Sequence, residues 1–600
     1  QLADLEKALQ SHTRAIELTS DGHPHLSLRH FNYALSRHLQ YQHTREPSHL
    51  NSSVRSFRKS SQLLTCSPRD VFNHALCWAN LATQHTYLNP IEAFRATIDL
   101  LPHFIWLGAT TAQRYHDLFL AENVAVRAAY VAIQSSQYSL ALEWLEHARC
   151  VVWNQSLMLR SPLDDLKLSH PNLAAQLQSV SRQLHYANSG IPASNEHPSS
   201  TSTPEHRHRL AREYNDLLAQ ARGFPGMEDF LKPSKAIRLI RAARNGPIVV
   251  INCHKDRCDA LVVMPGKDNI THLTLPDFTQ EAAQNARAGL VSSLRESGIR
   301  ERGVNIVGER RPDENIARLL AALWNNVVKP VLNHLGYTND PPPDTMPHIT
   351  WCPTDALSFL PLHAAGDYDR PRSRVFDYAI CSYTPTLTAL LASNPTPTSR
   401  GFRVLAIGQA NTPSHAPLPG TTRELELVQG HVKNIAEYSQ LMDDQATTTA
   451  VLDAMDQHDW VHLACHASQD VYHPTKSGFY LHDGTLDISA INQRTFRNKG
   501  LAFLSACQTA TGDEKLADEA IHLASGMLMA GYRSVIATMW SVKDDDAPYV
   551  ADKVYAELMK HGKVGNGEAG KALHDAVAGL RDRVGEKEFG RWVPYIHIGS

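Results

Sequence analysis

WVHLACHAS at residues 460–468 and LAFLSACQT at residues 501–509 are two short apolar runs that each end in polar sequence. Val, Leu, Ala, Phe and Trp dominate both runs, which is typical of strands. His466 closes the first run, and Cys507 closes the second 41 positions later. Sites in an open, mostly parallel α/β sheet form outside the carboxyl ends of its strands. We therefore expect the imidazole and the thiol to meet at one edge of such a sheet.

The pair predicts a cysteine endopeptidase that works through an acyl-enzyme. A thiolate rather than a thiol attacks a carbonyl carbon, so His466 would take the proton of Cys507 and later protonate the departing amine. The oxyanion needs preorganised donors, and the backbone N–H groups of Ala467 and Cys507 are the candidates. Either side chain alone would more often be structural, since buried cysteines usually serve as small hydrophobes. The order and the strand-end position of the two favour catalysis.

Length and charge restrict the alternatives. A chain of 600 residues is too long for one core, so several domains are expected. The net charge is −3 and basic residues are scattered, which predicts neither a nucleic-acid nor a membrane partner. Nine cysteines without regular spacing favour reduced thiols and a cytoplasmic location. The helical pattern is already under way at Leu2 without an initiating Met, as expected of a piece of a longer protein.

The predicted fold class is α + α/β. Residues 1–187 carry amphipathic helix pairs whose small residues recur at Ala8, Ser53, Ala93 and Ala141. Such a repeat indicates a solenoid similar to tetratricopeptide repeats (TPR). Residues 188–208 are rich in Ser, Pro and Asn and predict a linker. Strands then alternate with helices in two successive units, 209–399 and 400–600, which predicts a sheet covered by helices on both faces.

The strings HLACHAS and LSACQTATGDE resemble the CHAT family, caspase-like peptidases found joined to tetratricopeptide repeats. The similarity continues through DEAIHLASGMLMAGYRSVIATMWSVKDDDA, and LALEWLEHARCVVWNQ resembles fungal members. The resemblance implies a caspase-like fold, a His466–Cys507 dyad, and a degenerate half at 209–399 beside an active half at 400–600. It also implies a role in defence or regulated cell death, with a gasdermin-like protein as a possible substrate class. Ala467 departs from the family, where Gly usually follows the histidine.

Substrate selection is predicted from the strand SVIATMW and the acidic run after it. In caspase-like folds the corresponding loop helps to build the S1 pocket, so Asp544 would attract a basic P1 side chain and Trp540 would form a wall. An aspartate at this place equally suits the start of a helix. A second acidic cluster, residues 513–519, would charge the beginning of a helix predicted at 517–531.

Other readings of the chain stay open. A catalytically inactive TPR-CHAT scaffold is the main alternative, and Ala467 favours it. His462 and His466 lie four apart, but a third metal ligand is missing, so His462 is expected to pack or hydrogen-bond beneath the site. Cys253 and Cys258 suit a hairpin better than half a metal site. We expect no metal, no cofactor, and a protein substrate or regulator that docks on the solenoid.

Overall fold

The computed structural model describes residues 2–121, 123–160, 163–189, 203–296, 314–338, 346–392, 402–470, 476–494, 496, 499–506, 522–561 and 568–599. The chain divides into two compact units, Gln1–Lys232 and Pro233–Ser600. The first is helical, and the second combines a large sheet with helices. Within these ranges, no helix is both long enough and apolar enough to cross a bilayer.

The first unit consists of consecutive helices: α1 Leu2–Glu17, α2 Leu26–Thr44, α3 Pro47–Gln62, α4 Pro68–Gln84, α5 Pro90–Phe104, α6 Thr111–Leu118, α7 Val124–Gln134, α8 Tyr138–Ala148, α9 Val151–Met158, α10 Asp164–Ser169, α11 Pro171–Ser189 and α12 Pro204–Arg222. Neighbours pack as pairs, α2 with α3, α4 with α5, and α7 with α8. Three of the four small residues of the predicted pattern, Ser53, Ala93 and Ala141, are completely buried, and the fourth, Ala8, is half-buried. Small side chains at these positions therefore allow close packing of helices, as the sequence pattern predicts.

The helix α12 begins inside the segment 188–208 that the sequence predicts as a linker. The Thr203 side chain accepts a hydrogen bond from the His206 N–H, which caps the first turn of α12. Leu210 and Tyr214 of α12 are buried in one cluster with Leu177 of α11. This apolar face groups α12 with the helical unit up to Lys232, so the boundary differs from the predicted start of the α/β region at 209. Residues 190–202 lie outside the described ranges.

The second unit contains fourteen strands among the described residues: β1 Ile248–Cys253, β2 Cys258–Val263, β3 Ile270–Leu275, β4 His348–Pro353, β5 Ile380–Tyr383, β6 Arg403–Gly408, β7 Glu437–Met442, β8 Trp460–Ala464, β9 Ala467–Ser468, β10 Gly478–Leu481, β11 Gly484–Asp487, β12 Lys499–Ser505, β13 Tyr532–Thr538 and β14 Tyr595–Gly599. Eleven form one sheet in the order β3-β2-β1-β4-β5-β14-β13-β12-β8-β6-β7. The remaining three form a small sheet, β11-β10-β9.

The helices of this unit are α13 Ala236–Leu239, α14 Gln280–Glu296, α15 Glu314–Leu323, α16 Lys329–Leu335, α17 Leu387–Ala392, α18 Gly420–Val432, α19 Thr448–Gln457, α20 Ile488–Gln493, α21 Leu523–Ala530, α22 Ala547–His561, α23 Glu568–Val584 and α24 Phe589–Trp592. They enclose one continuous apolar core that extends from Val249 in β1 to Ile598 in β14. The predicted fold class, a helical region followed by a mixed α/β domain, is confirmed.

The directions of the strands decide which residues lie at the same end of the sheet. Strands β6, β7, β8, β12 and β13 run parallel, whereas β14 runs antiparallel to β13 and parallel to β5. The parallel strands β1, β4 and β5 therefore run opposite to β8 and β12. Sites form at the carboxyl ends of strands, and β1, β4 and β5 direct theirs away from the end of the sheet that follows β8 and β12. Of the described strands before residue 400, β2 runs in the direction of β8 because it is antiparallel to β1, but it lies on the far side of the sheet.

A chain of hydrogen-bonded side chains, half-buried at His348 and buried beyond it, crosses the junction between the two parts of the sheet. His348 Nε2 lies 2.6 Å from Ser382 Oγ, and Ser382 Oγ lies 2.6 Å from His597 Nδ1. His597 Nε2 in turn lies 2.7 Å from Ser534 Oγ. Four adjacent strands, β4, β5, β14 and β13, are linked in this way. Burial and the nearby His348 lower the pKa of His597 to about 3, so this histidine is neutral at pH 7.

Acid is expected to destabilise the α/β unit through His597. Its folded-state pKa lies below the unfolded value of about 6.5. Its contribution to the free energy of unfolding is therefore fully present above that pH and is lost as pH falls toward 3. By pH 4.5 the loss amounts to roughly 2–3 kcal/mol. Urea unfolding at pH 7 and 4.5 should show a smaller pH dependence for His597→Gln than for the wild type. His482→Gln changes an exposed histidine and should keep the wild-type pH dependence. An equal change in the free energy of unfolding between pH 7 and 4.5 in all three proteins would show that His597 is not responsible.

Candidate functional site

The strands that carry the predicted dyad are neighbours. β8 and β12 pair in parallel with Leu504 opposite Leu463 and Ser505 opposite Ala464. Every residue of β8 is buried, as expected of a central strand covered on both faces. His466 follows the end of β8 by two positions, and Cys507 follows the end of β12 by two positions in the sequence. Cys507 itself lies outside the described residues.

The last described residue before Cys507 is held firmly. Ala506 is completely buried, and its carbonyl accepts a 2.7 Å hydrogen bond from the Thr538 hydroxyl at the end of β13. The carboxyl end of β12 is therefore anchored to the end of β13 at Ala506.

His466 is largely buried and has a defined tautomer. Its side chain is 6% exposed, and Nε2 lies 2.8 Å from the carbonyl oxygen of Ala416. A carbonyl oxygen only accepts, so Nε2 carries the hydrogen, and in the neutral ring Nδ1 carries the lone pair. The backbone carbonyl of Ala416 thus sets both the orientation of the ring and the nitrogen that is basic.

Ala416 belongs to the 409–419 loop, which connects β6 to α18. The Gln409 N–H donates to the Ala464 carbonyl at 3.0 Å, which ties the start of the loop to the end of β8. The Leu418 N–H donates to the Ala410 carbonyl at 2.8 Å and closes the loop on itself. Sequence reasoning missed this loop. Its only signal is a Pro-rich turn, NTPSHAPLPG, directly after an apolar strand.

An aromatic group covers the outer side of His466. The ring of His415, an exposed residue of the 409–419 loop, lies 5.2 Å from the His466 ring and 4.2 Å from the Tyr480 ring. The Tyr480 N–H donates to the His466 carbonyl at 2.8 Å. The backbone of His466 is therefore held by β10 while its ring is held by the loop.

The small sheet leaves the Ala467 amide pointing outward. The hydrogen bond between residues 480 and 466 makes them a hydrogen-bonded pair of the antiparallel ladder β9–β10. Such pairs alternate, so Ala467 and its partner Phe479 form a non-hydrogen-bonded pair, and the Ala467 N–H is directed away from β10. Ala467 is in extended backbone with no positive φ, so alanine introduces no backbone strain where the CHAT family usually has glycine.

The two predicted S1 residues both have partners within the chain. Trp540 is buried, and its indole N–H donates to the Gly590 carbonyl at 3.2 Å. Asp544 Oδ2 accepts a 2.6 Å hydrogen bond from the Gly420 N–H at the start of α18. The acidic cluster at 513–519 lies outside the described residues. The contacts of Asp544 match the helix-start alternative, although the helix in question is α18 rather than the one that follows in sequence.

His462 lies beneath the site, in a buried contact with Glu424. Both His462 and Glu424 of α18 are completely buried, and His462 Nε2 lies 3.0 Å from Glu424 Oε1. The Phe503 and Tyr555 rings lie 4.8 and 5.6 Å from the imidazole. His462 thus packs and hydrogen-bonds inside the core. In the part of the chain that the structure describes, no three His, Cys, Asp or Glu side chains form a metal-binding group.

Cys253 and Cys258 are opposite each other in the hairpin β1–β2, as the sequence predicts. Their Sγ atoms are 3.3 Å apart, and both residues are completely buried. The Cys253 N–H donates to the Thr354 hydroxyl, and the Cys258 N–H donates to the Phe278 carbonyl. The pair is therefore part of the core of this hairpin.

Comparison with known proteins identifies the α/β region. The CHAT domain family model matches residues 317–600. Saccharomyces cerevisiae separase, in complex with securin, is 11% identical with a TM-score of 0.42 over 99% of this chain and 48% of the separase chain. The chain thus spans about half the length of separase. The Arg-specific cysteine proteinase gingipain R is 11% identical with a TM-score of 0.32 over 48% of this chain and 67% of its own.

Another structure, the complex of Porphyromonas gingivalis RgpB pro- and mature domains, is 12% identical with a TM-score of 0.34 over 53% of this chain and 76% of its own. No curated protein gives a significant match to the chain. The family match alone gives the assignment: the chain carries a CHAT domain at residues 317–600.

Proposed function

We propose that the chain is a cysteine endopeptidase in which Cys507 is the nucleophile and His466 the acid–base residue. The observation that carries the proposal is the fixed ring of His466 at the end of β8. Its Nε2 is engaged by the Ala416 carbonyl, so Nδ1 is the basic nitrogen of the neutral ring. The strand next to β8 is β12, in register with it and two residues short of Cys507.

The chemistry follows from these roles. Nδ1 of His466 takes the thiol proton, and the Cys507 thiolate adds to the scissile carbonyl carbon. The C–N bond then breaks, the imidazolium gives its proton to the departing amine, and a thioester remains on Sγ. A water molecule, deprotonated by the same imidazole, adds to the thioester and releases the carboxylic acid and the thiol. The Ala416 carbonyl accepts from Nε2 in both the neutral ring and the imidazolium, so the ring keeps its orientation throughout.

The oxyanion hole is proposed at the backbone N–H groups of Ala467 and Cys507. The outward direction of the Ala467 N–H supports this assignment, because a donor engaged by β10 could not serve an oxyanion. Losing one such donor typically costs about 10²–10³ in rate. The sequence predicts Trp540 and Asp544 as S1 residues, but Asp544 accepts a hydrogen bond from the start of α18, so only Trp540 is kept in the S1 proposal.

The substrate is proposed to be a specific protein that docks on the helical unit. Concave surfaces of stacked helix pairs commonly bind extended partners. A role in defence or regulated cell death, with a gasdermin-like substrate, rests on analogy with the CHAT family. A cytoplasmic location is proposed on the same composition that predicts reduced thiols.

Identification of new protein termini in a host lysate tests the proposal. Lysate treated with the wild-type chain should contain a small set of new termini that are absent after treatment with Cys507→Ser. The same set should appear with Cys77→Ser, which changes an exposed cysteine of the helical unit. Identical termini with wild type and Cys507→Ser would favour the inactive scaffold instead.

A further inference from the structure

The start of α18 is capped by a residue from another part of the chain. Pro419 precedes the helix and its side chain offers no oxygen for capping. The Gly420 N–H instead donates to Asp544 Oδ2 at 2.6 Å, 124 positions away in sequence. A carboxylate at this end complements the positive end of the helix dipole. Asp544 therefore stabilises the first turn of α18.

The contact requires glycine at 420. A Cβ added to Gly420 would meet the backbone oxygen of Asp544 and would lie 2.6 Å from Oδ2. Because this oxygen belongs to the backbone, it cannot move aside as the end of a flexible side chain could. The start of α18 and the backbone at Asp544 are therefore too close to accommodate a side chain at position 420.

The Asp544 side chain is presented by a stable turn. Asp546 is buried and accepts two hydrogen bonds from Arg591, at 2.8 Å to Nε and 2.6 Å to Nη2. The Asp546 N–H donates to the Lys543 carbonyl at 3.0 Å, which closes the turn around Asp544. Asp545 is exposed. The three aspartates thus differ: Asp546 anchors the turn, Asp544 caps α18, and Asp545 faces solvent.

A short, stiff segment connects Gly420 to the carbonyl that holds His466. Ala416 lies four positions before Gly420, and Pro417 and Pro419 between them each have φ fixed by the ring. Leu418 is completely buried. A shift of Gly420 is therefore transmitted to the Ala416 carbonyl rather than absorbed along the way.

We propose that Asp544 is a positioning residue that holds the 409–419 loop so that the Ala416 carbonyl keeps His466 in its working orientation. The sequence predicts instead that Asp544 selects a basic P1 side chain. The proposal deepens the proposed peptidase function and rests on it. The two roles differ in what they require: capping needs an oxygen that accepts from the Gly420 N–H, whereas P1 selection needs a negative charge.

Three variants separate the roles. Asp544→Asn keeps an acceptor oxygen and removes the charge, and Asp544→Ala removes both. Gly420→Ala retains the Asp544 side chain but forces it and the start of α18 apart, because the added Cβ would overlap Asp544. Asp545→Ala is the matched control on the exposed neighbour. The readout is the rate of iodoacetamide alkylation of Cys507 between pH 5.5 and 9, followed by peptide mapping of the full chain.

Positioning predicts that Asp544→Ala and Gly420→Ala slow alkylation of Cys507 near pH 6.5 by roughly tenfold and move the pH midpoint upward, because the imidazole no longer stabilises the thiolate. Asp544→Asn and Asp545→Ala should stay within about threefold of wild type. Asparagine at position 544 should therefore preserve the capping function, whereas it could not replace aspartate in selecting a basic P1 side chain.

Alkylation of Cys507 in Asp544→Ala at the wild-type rate would overturn the positioning role. A second contradicting result uses fluorogenic peptides with Lys or Arg at P1. If Asp544→Asn and Asp544→Ala lose cleavage activity on these peptides equally, while alkylation of Cys507 is unchanged, Asp544 belongs to S1. If Cys507 of the wild type already reacts like an ordinary thiol, the proposed peptidase function fails, and the positioning role fails with it. If Asp544→Ala does not fold, Gly420→Ala gives the alkylation test, and Asp544→Asn on peptides with Lys or Arg at P1 still tests P1 selection.

Discussion

Cys507→Ala is expected to abolish cleavage of any protein that the wild-type chain cuts. Removing the nucleophile of a comparable hydrolase lowers kcat on the order of 10⁶-fold, because no other group on the enzyme forms the acyl intermediate. The measurement is the rate of appearance of a defined cleavage product, quantified with the wild type and the variant at equal concentration. The free energy of unfolding should change little, since the substitution removes a single sulfur atom.

Cys77→Ala provides the control for this prediction. Cys77 is an exposed thiol on α4, far in sequence from the site, and its removal should leave the cleavage rate unchanged. Cleavage by Cys507→Ala at more than about 1% of the wild-type rate would show that another group acts as nucleophile.

His466→Ala is expected to lower kcat/KM by roughly 10²–10⁴-fold, the usual contribution of a positioned acid–base residue. Without the imidazole, the thiol must ionise unassisted, and the leaving amine departs without a proton donor. The loss should be largest below pH 8, where an unperturbed cysteine is mostly protonated. The measurement is the pH dependence of kcat/KM for the variant and the wild type on the same cleaved substrate.

His415→Ala is the matched control for this second prediction. Its ring lies 5.2 Å from the His466 ring, and the proposed mechanism gives it no proton to transfer, so the expected change is within about threefold. A loss in His415→Ala as large as that in His466→Ala would move the acid–base role to the loop histidine.

The sequence was sufficient for the strands that carry the site. β8 and β12 are short apolar runs, buried on both faces, and such runs are recognisable without any knowledge of neighbours. Three strands of the large sheet were not predicted: β5, β7 and β14. β7 reads EYSQLM and lies at an open edge, where polar residues suit an exposed strand and hide its pattern.

β14 shows why topology was harder to predict than strand positions. YIHIG, at the end of the chain, pairs with β13 on one side and with β5, more than 200 residues earlier, on the other. Long-range pairing of this kind leaves no periodic signal in the sequence. The join between the two α/β regions, including the His348–Ser382–His597–Ser534 chain, therefore appears only in the structure.

The group that orients His466 was not predictable for a simpler reason. It is a backbone carbonyl, and every residue has one, so Ala416 is not marked by its side chain. Asp544 was singled out by its acidity, but acidity did not show which neighbour it meets. The Gly420 amide becomes that neighbour only once β6, α18 and the 543–546 turn are folded together.

The pH dependence of Cys507 alkylation by iodoacetamide, read by peptide mapping in the wild type and in His466→Ala, tests the Cys–His dyad most directly. The dyad predicts that wild-type Cys507 reacts well below pH 8 and faster than the exposed Cys77, and that His466→Ala moves its midpoint toward the ordinary thiol value of about 8.5. Matching profiles for Cys507 in the two proteins, with an ordinary thiol midpoint in both, would contradict it.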